Sequence, residues 1–124
     1  MCIRDRINDD IIIVIMLETP KAINNVEEIA SVPGIDVLLV GTNDLCMEMG
    51  IPGEFNHNDV KEAYKKVIQA CNNNNILPGM GGVYDETLMH EYIDLGMKFI
   101  LSGSDLSFLV KGAEDRLNNL KNKG

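Results

Sequence analysis

The sequence contains no apolar run long enough to cross a membrane. Its longest run, from Ile11 to Leu17, has the length of one buried strand, whereas a transmembrane helix takes about 18 or more apolar residues. Basic side chains are also few: 11 Lys and Arg residues are scattered among 19 Asp and Glu residues, and the formal net charge is −8. A protein that grips a phosphate backbone concentrates positive charge on one face. The sequence therefore predicts neither a membrane segment nor a nucleic-acid partner.

Cysteine is scarce as well, and its copies are far apart. Cys2, Cys46 and Cys71 form no close pair and no CxxC motif, which argues against a zinc knuckle or a disulfide framework and fits a reducing cytoplasm. The N-terminus lacks the charged-then-apolar order of a signal peptide. With 45% hydrophobic and 24% charged residues, the chain has the composition of one ordinary globular domain. We therefore expect a single cytoplasmic domain.

The first six residues, Met-Cys-Ile-Arg-Asp-Arg, resemble the translation of a transposon end that is used in preparing sequencing libraries. We therefore expect residues 1–6 to be non-native and residues 7–124 to carry the fold, with the natural upstream residues missing. The alternative is a polar natural N-terminus.

Four short apolar clusters predict four strands. They are Ile11 to Leu17, Val37 to Val40, Ile76 to Met80 and Phe99 to Leu101. The first cluster shows no polar alternation, which is typical of a strand that is covered on both faces, as the strands of parallel sheets are.

A helical pattern follows each cluster. A helix from Pro20 carries apolar residues to Ala30, a second runs from Val60 to Cys71, a third is capped by Asp85 and ends at Gly96, and a fourth runs from Leu106 to Leu120. Such alternation implies right-handed crossovers and a parallel sheet. Four βα units are half of a (β/α)8 TIM barrel, which takes about 250 residues. A complete, small doubly wound sheet is the competing architecture.

Two carboxylates follow the first two predicted strands. Ligands of parallel α/β folds bind beyond the carboxyl ends of the strands, and Glu18 and Asp44 stand there. Neighbouring carboxylates repel each other unless a proton or a cation lies between them, and ligation by oxygen alone suits Mg²⁺ or Mn²⁺. The alternative is capping, by Glu18 of the helix near Pro20 and by Asp44 of a short helix over Leu45 to Met49.

The Gly41-Thr42-Asn43 turn lies between these two carboxylates in the sequence. Successive backbone N–H groups in a tight turn or at a helix start form a nest for an anion. A substrate carboxylate would fit such a nest.

These segments resemble the HpcH/HpaI aldolase family, the class II pyruvate aldolases that include 2-keto-3-deoxy-sugar-acid and 2,4-dihydroxyhept-2-enedioate aldolases. The resemblance runs from Ile11 to about Leu120. Its most specific parts are Glu-Thr-Pro from Glu18, Gly-x-x-Asp-Leu from Gly41 and Gly-Ser-Asp-Leu from Gly103. These motifs would follow the fifth, sixth and eighth barrel strands, so the resemblance implies the C-terminal half of a TIM barrel.

The resemblance also implies a site and a reaction. Glu18 and Asp44, separated by 44 − 18 = 26 positions, would bind a divalent metal, Mg²⁺ or Mn²⁺. The amides of Asn43 and Asp44 would hold the carboxylate of pyruvate, and Gly41 would let that loop approach closely. The implied reaction is the reversible cleavage of 4-hydroxy-2-keto acids to pyruvate and an aldehyde, by a protein that forms homo-oligomers.

Two departures from the family pattern bear on activity. Many members carry an apolar pair after the seventh-strand glycine, where this chain has Met80-Gly81-Gly82, so the aldehyde side of the pocket would differ. The family's acid/base histidine and substrate-binding arginine come from the N-terminal half, which this chain lacks. His57 and His90 lie in a loop and in a polar helical stretch, and we assign neither of them a catalytic role.

Three other functions compete with that of a metal-dependent aldolase. A lysine-based aldolase needs a lysine near a strand's carboxyl end, whereas Lys98 precedes its strand and Lys21 opens a helix. A citrate-lyase-beta-like acyl-CoA lyase would share the carboxylate pair, but we do not expect Gly-Ser-Asp-Leu after its last strand. The non-enzymatic alternative is an inactive, truncated half-barrel module, whose unpaired edges and apolar interior would favour association.

Overall fold

A computed structural model describes residues 10–121, in which parallel strands alternate with helices. The elements are β1 (Val14–Leu17), α1 (Pro20–Asn24), α2 (Val26–Ala30), β2 (Val37–Gly41), α3 (Thr42–Glu48), α4 (Asn58–Asn74), β3 (Leu77–Gly81), α5 (Glu86–Leu95), β4 (Phe99–Ile100) and α6 (Asp105–Lys121). The predicted non-native segment, residues 1–6, lies outside this range. No helix between residues 10 and 121 is long and apolar enough to span a membrane.

The strands form one sheet in the order β1-β2-β3-β4, and each neighbouring pair is parallel. In the first two pairs, Leu17 lies opposite Val40 and Val40 opposite Met80. In a doubly wound sheet the strands do not follow sequence order, because the chain adds strands first on one side of the first strand and then on the other. The sequential order confirms the predicted half barrel.

The predicted extents of β1 and of the first helix are wrong. Strand β1 begins at Val14 rather than Ile11, because pairing starts where the Ile13 carbonyl accepts hydrogen bonds from the amides of Asp36 and Val37. The single helix predicted after Pro20 is split at Asn25, which has φ −99° and ψ 13°. Asparagine competes for backbone hydrogen bonds and favours helix ends.

The sheet buries one face against its helices. This face carries Leu17, Leu38, Val40 and Met80, which pack with Val60, Tyr64 and Val67 of α4. Met16 alternates with Leu17 and therefore points to the opposite face, where its side chain is 51% exposed. Helix α6 forms as predicted, but it buries none of its residues. The core therefore lies between the sheet and α1 to α5.

Candidate active site

Glu18 directly follows β1 and lies against the end of β2. Continuing the register of Leu17 opposite Val40 by one residue brings Glu18 beside Gly41. A Cβ atom added to Gly41 would stand 2.7 Å from Glu18 Cγ and 2.9 Å from Glu18 Oε1, closer than such atoms approach in proteins. Glycine at position 41 therefore makes room for the glutamate, which is half-buried at the carboxyl edge of the sheet.

The capping alternative for Glu18 is wrong. Thr19 caps α1, and its Oγ1 accepts a hydrogen bond from the Ala22 amide at 3.1 Å. Threonine is a good N-cap residue because its short side chain reaches the first-turn amides. The Glu18 carboxylate has no part in this cap.

The capping alternative for Asp44 is wrong as well. Helix α3 begins at Thr42, immediately after β2, so Asp44 lies inside the first turn and Gly41 is the N-cap residue. A carboxylate in a first turn is favoured by the helix dipole. Gly41 supplies no side-chain cap, and the first amides of any helix lack partners within the helix. The first-turn amides of α3 therefore have no partner within the helix, and the Asp44 side chain beside them is exposed.

The donor set at this edge fits a hard cation. Strands β1 and β2 are adjacent and parallel, so Glu18 and Asp44 both follow carboxyl ends at one edge of the sheet. Within residues 10–121, no group of three or more His, Cys, Asp and Glu residues could hold a metal ion. The thiol of Cys46 is buried in the core, and burial raises its pKa, so it offers no thiolate. Two carboxylates would leave most coordination positions to water and substrate, as Mg²⁺ prefers.

Gly82 supports the start of α3 from the side of β3. Its φ is +85°, and a Cβ atom there would stand 3.0 Å from Asn43 Nδ2 and 3.3 Å from the Asn43 amide nitrogen. Gly82 therefore allows the backbone after β3 to approach Asn43 closely. The sequence relates Gly81 and Gly82 only to the aldehyde side of the pocket and gives no signal for this contact with α3.

Sequence reasoning also missed Thr42 and Tyr64. The Thr42 hydroxyl is buried and lies 2.7 Å from both the Tyr64 hydroxyl and the Gly81 carbonyl oxygen. The available signal was a hydroxyl residue between a buried strand and a helix, together with a tyrosine in the apolar stripe of α4. Only the fold brings the two residues together, since they are 22 positions apart.

Neither histidine directly follows a strand. His57 is the N-cap of α4, and its Nδ1 accepts a hydrogen bond from the Asp59 amide at 3.2 Å. His90 lies exposed within α5.

A cavity of about 560 Å³ opens near the carboxyl end of β4, between Tyr84 and Ser104, and neither Glu18 nor Asp44 lines it. The pairing of these two carboxylates around one cation stays a prediction.

Comparison with known proteins identifies the family. The model of the HpcH/HpaI aldolase/citrate lyase family matches residues 3–112. The chain is 37% identical over 105 residues to a 4-hydroxy-4-methyl-2-oxoglutarate aldolase of Chaetomium globosum, a match that covers 83% of this chain and 39% of that protein. It is 33% identical over 107 residues to a 4-hydroxy-2-oxo-heptane-1,7-dioate aldolase of Klebsiella pneumoniae, covering 86% and 40% of the two chains.

Solved structures agree with these matches. An HpcH/HpaI aldolase from Desulfitobacterium hafniense DCB-2 superposes with a TM-score of 0.78 and 27% identity, covering 97% of this chain and 46% of that one. The citrate synthase SbnG, at 22% identity and a TM-score of 0.76, shares the fold. The chain spans about two fifths of the length of the curated relatives that it matches. On this evidence the chain belongs to the HpcH/HpaI aldolase/citrate lyase family.

Proposed function

We propose that this chain is the C-terminal half of a metal-dependent aldolase, which reversibly cleaves 4-hydroxy-2-keto acids to pyruvate and an aldehyde. The observation that carries the proposal is the carboxyl edge of β1 and β2. There Glu18 lies over Gly41, and the uncapped start of α3 carries Asp44. The names of the two curated relatives support the substrate class, since both are aldolases of 4-hydroxy-2-oxo diacids.

Glu18 and Asp44 would hold the divalent cation, with Mg²⁺ or Mn²⁺ best suited to two carboxylate oxygens. When bound, the cation would supply a Lewis acid for the 2-keto acid as its carbon–carbon bond breaks. Glu18 is half-buried, and partial burial of a carboxylate strengthens its attraction to a cation because the local dielectric is lower.

The start of α3 would bind the carboxylate of pyruvate. The amides of Asn43 and Asp44 lie in its first turn, where N–H groups have no partner within the helix. Such donors bind anions, and the helix dipole favours negative charge at the same place. Gly41 adds no side chain there, which leaves room for Glu18 beside this turn.

Proton transfer would depend on residues outside this chain. His57 caps α4 and His90 lies exposed on α5, so neither histidine follows a strand's carboxyl end. We therefore propose that the 124-residue chain binds metal and a keto acid but turns over no substrate. An acyl-CoA lyase has weaker support, because both curated relatives described above are aldolases.

The test is an assay of the full-length parent, obtained by recovering the upstream coding sequence. Pyruvate release from a 4-hydroxy-2-keto acid would be followed with lactate dehydrogenase, with added Mg²⁺ or Mn²⁺ and then with a chelator. We expect the chelator and Asp44→Ala each to abolish cleavage. Glu48→Gln, which neutralises an exposed carboxylate at the far end of α3, is the matched control. Chelator-resistant cleavage would refute the metal-dependent mechanism.

A further inference from the structure

Thr42 is a buried polar residue at the carboxyl edge of the sheet. Its side chain is 0% exposed in the first turn of α3, and a buried hydroxyl group needs hydrogen-bond partners. It has two: the Gly81 carbonyl oxygen at the end of β3 and the Tyr64 hydroxyl of α4, each at 2.7 Å. One side chain therefore joins β3 and α4 to the turn that carries Asn43 and Asp44.

The direction of these hydrogen bonds follows from the number of hydrogens. A threonine hydroxyl has one hydrogen to donate, and a carbonyl oxygen can only accept. Thr42 therefore donates to Gly81, and Tyr64 must donate to Thr42. This order uses the single hydrogen of each hydroxyl and leaves no buried polar side-chain atom of residues 10–121 without a partner.

Tyr64 is itself firmly held. Its ring stacks on Tyr92 of α5 with the ring centroids 4.1 Å apart and the planes inclined by 25°. The Tyr92 hydroxyl donates to the Phe55 carbonyl oxygen, in the segment between α3 and α4. Both rings are buried, and burial raises the pKa of Tyr64 to about 12. The Tyr64 hydroxyl therefore keeps its hydrogen at neutral pH and remains a donor to Thr42.

We propose that Thr42 and Tyr64 are positioning residues that fix the first turn of α3, so that Asp44 and the Asn43 amide keep one place relative to Glu18. Helix α3 has seven residues, and so short a helix is not stable without tertiary contacts. The hydrogen bonds from Tyr64 to Thr42 and from Thr42 to Gly81 are such contacts at its N-terminal end. The consequence for metal binding rests on the proposed function, whereas the structural role of the two residues does not.

Hydrogen exchange followed by NMR on the 124-residue chain tests the structural role. The amides from Cys46 to Met49 donate the hydrogen bonds of α3. Their exchange rates are compared with those of the amides from Val67 to Ala70 in α4. Thr42→Val removes both hydrogen bonds, Tyr64→Phe removes one and keeps the ring stack, and Thr42→Ser keeps the hydroxyl. We expect Thr42→Val to accelerate exchange in α3 about tenfold more than in α4, Tyr64→Phe to act in the same direction, and Thr42→Ser to restore protection.

Each outcome of the exchange experiment either supports or overturns the positioning role of Thr42 and Tyr64. Equal acceleration in both helices, no acceleration in α3, or no rescue by Thr42→Ser would overturn the positioning role. If Thr42→Val fails to fold, the comparison of Tyr64→Phe with Thr42→Ser decides in its place.

A titration with Mn²⁺, followed by the electron paramagnetic resonance of the free ion, tests the consequence for the metal. We expect Thr42→Val to weaken Mn²⁺ binding about tenfold, as loss of a residue that orients a metal ligand typically does, and Thr42→Ser to leave it near wild type. Unchanged affinity in Thr42→Val, together with lost binding in Asp44→Asn, would overturn this consequence. If Asp44→Asn binds as well as wild type, the proposed metal site is wrong, and the exchange comparison still decides the role of Thr42.

Discussion

At the residue scale, the candidate site depends on which side chains are absent as well as on which are present. Gly41 has no side chain where Glu18 packs against the end of β2. Gly82 has none where Asn43 approaches the end of β3. Any larger residue at either position would compete for space with a proposed ligand or with the anion-binding turn. The two glycines therefore bear on the proposed function although neither contributes a reactive group.

The metal ligands give the first prediction. Asp44→Asn and Glu18→Gln should each weaken Mn²⁺ binding to this chain by more than about tenfold, because even outer partners of metal ligands are worth about 10- to 100-fold in affinity. The electron paramagnetic resonance titration measures this effect. Glu48→Gln, also in α3, removes the same charge at a distance and should bind Mn²⁺ like the wild type. Equal losses in all three variants would indicate a general charge effect instead of a site.

Gly41→Ala gives a second prediction. The added methyl group would meet Glu18 Cγ at 2.7 Å, so the glutamate must shift and Mn²⁺ binding should weaken. The matched control is Gly112→Ala in α6, where an added Cβ meets nothing within 4 Å and should stabilise the helix by up to about 1 kcal/mol. Thermal melting and the Mn²⁺ titration, run on both variants, separate the effects. Undisturbed Mn²⁺ affinity in Gly41→Ala would show that the observed Glu18 position is not needed.

At the element scale, the sequence predicts most elements but not all their limits. Continuous apolar runs identify the four strands, and their alternation with helices predicts the parallel sheet. The run from Ile11 contains no signal for the start of pairing, because the Asp36 partner of Ile13 is distant in sequence. The early start of α3 at Thr42 depends likewise on tertiary contacts, which override local propensity.

The same limit applies to the candidate site. Glu18 and Asp44 could be found from the sequence because each follows a predicted strand. Thr42 and Tyr64 could not, since their pairing depends on how α4 packs over the sheet. Periodicity identifies Tyr64 only as one apolar position of an amphipathic helix.

The helix layer gives a prediction on pH. Burial raises the pKa of Tyr64 to about 12 from its ordinary 10.0 and that of Cys71 to about 11 from 9.0. The folded state then holds protons that the unfolded state has released, so the free energy of unfolding falls as the pH rises through these windows. Below pH 9 the contribution of these two groups to the free energy of unfolding is fully present. The Tyr64 share corresponds to about 2 to 3 kcal/mol, lost between about pH 10 and pH 12.

Urea unfolding measured from pH 8 to pH 12 checks this prediction. Cys71→Ala should flatten the decline between about pH 9 and pH 11, and Tyr64→Phe should flatten it between about pH 10 and pH 12. Stability that rises through this range in the wild type would contradict the assigned burial of both groups.

At the scale of the whole molecule, the described residues form an open half of a closed architecture. Strands β1 and β4 are the edges of the sheet, and apolar residues of α6 such as Leu109, which is 72% exposed, have no cover among residues 10–121. In a closed barrel each edge strand has a neighbour and each helix packs on the sheet. The solved aldolase that superposes on this chain is about twice as long as the part it shares with it. We propose that the parent's other half provides both the missing cover and the missing catalytic groups.

The last prediction follows from this division. The 124-residue chain carries the proposed metal ligands and the proposed anion-binding turn, so under the proposed function it would keep the electrostatic part of catalysis. Neither of its histidines directly follows a strand, and a positioned acid/base is worth about 10²- to 10⁴-fold in rate. We therefore expect Mn²⁺ binding but negligible pyruvate release from the chain alone, measured with lactate dehydrogenase at saturating Mn²⁺. The full-length parent, assayed in parallel, is the positive control. Cleavage by the chain at the parent's rate would show that every group needed for proton transfer lies within it.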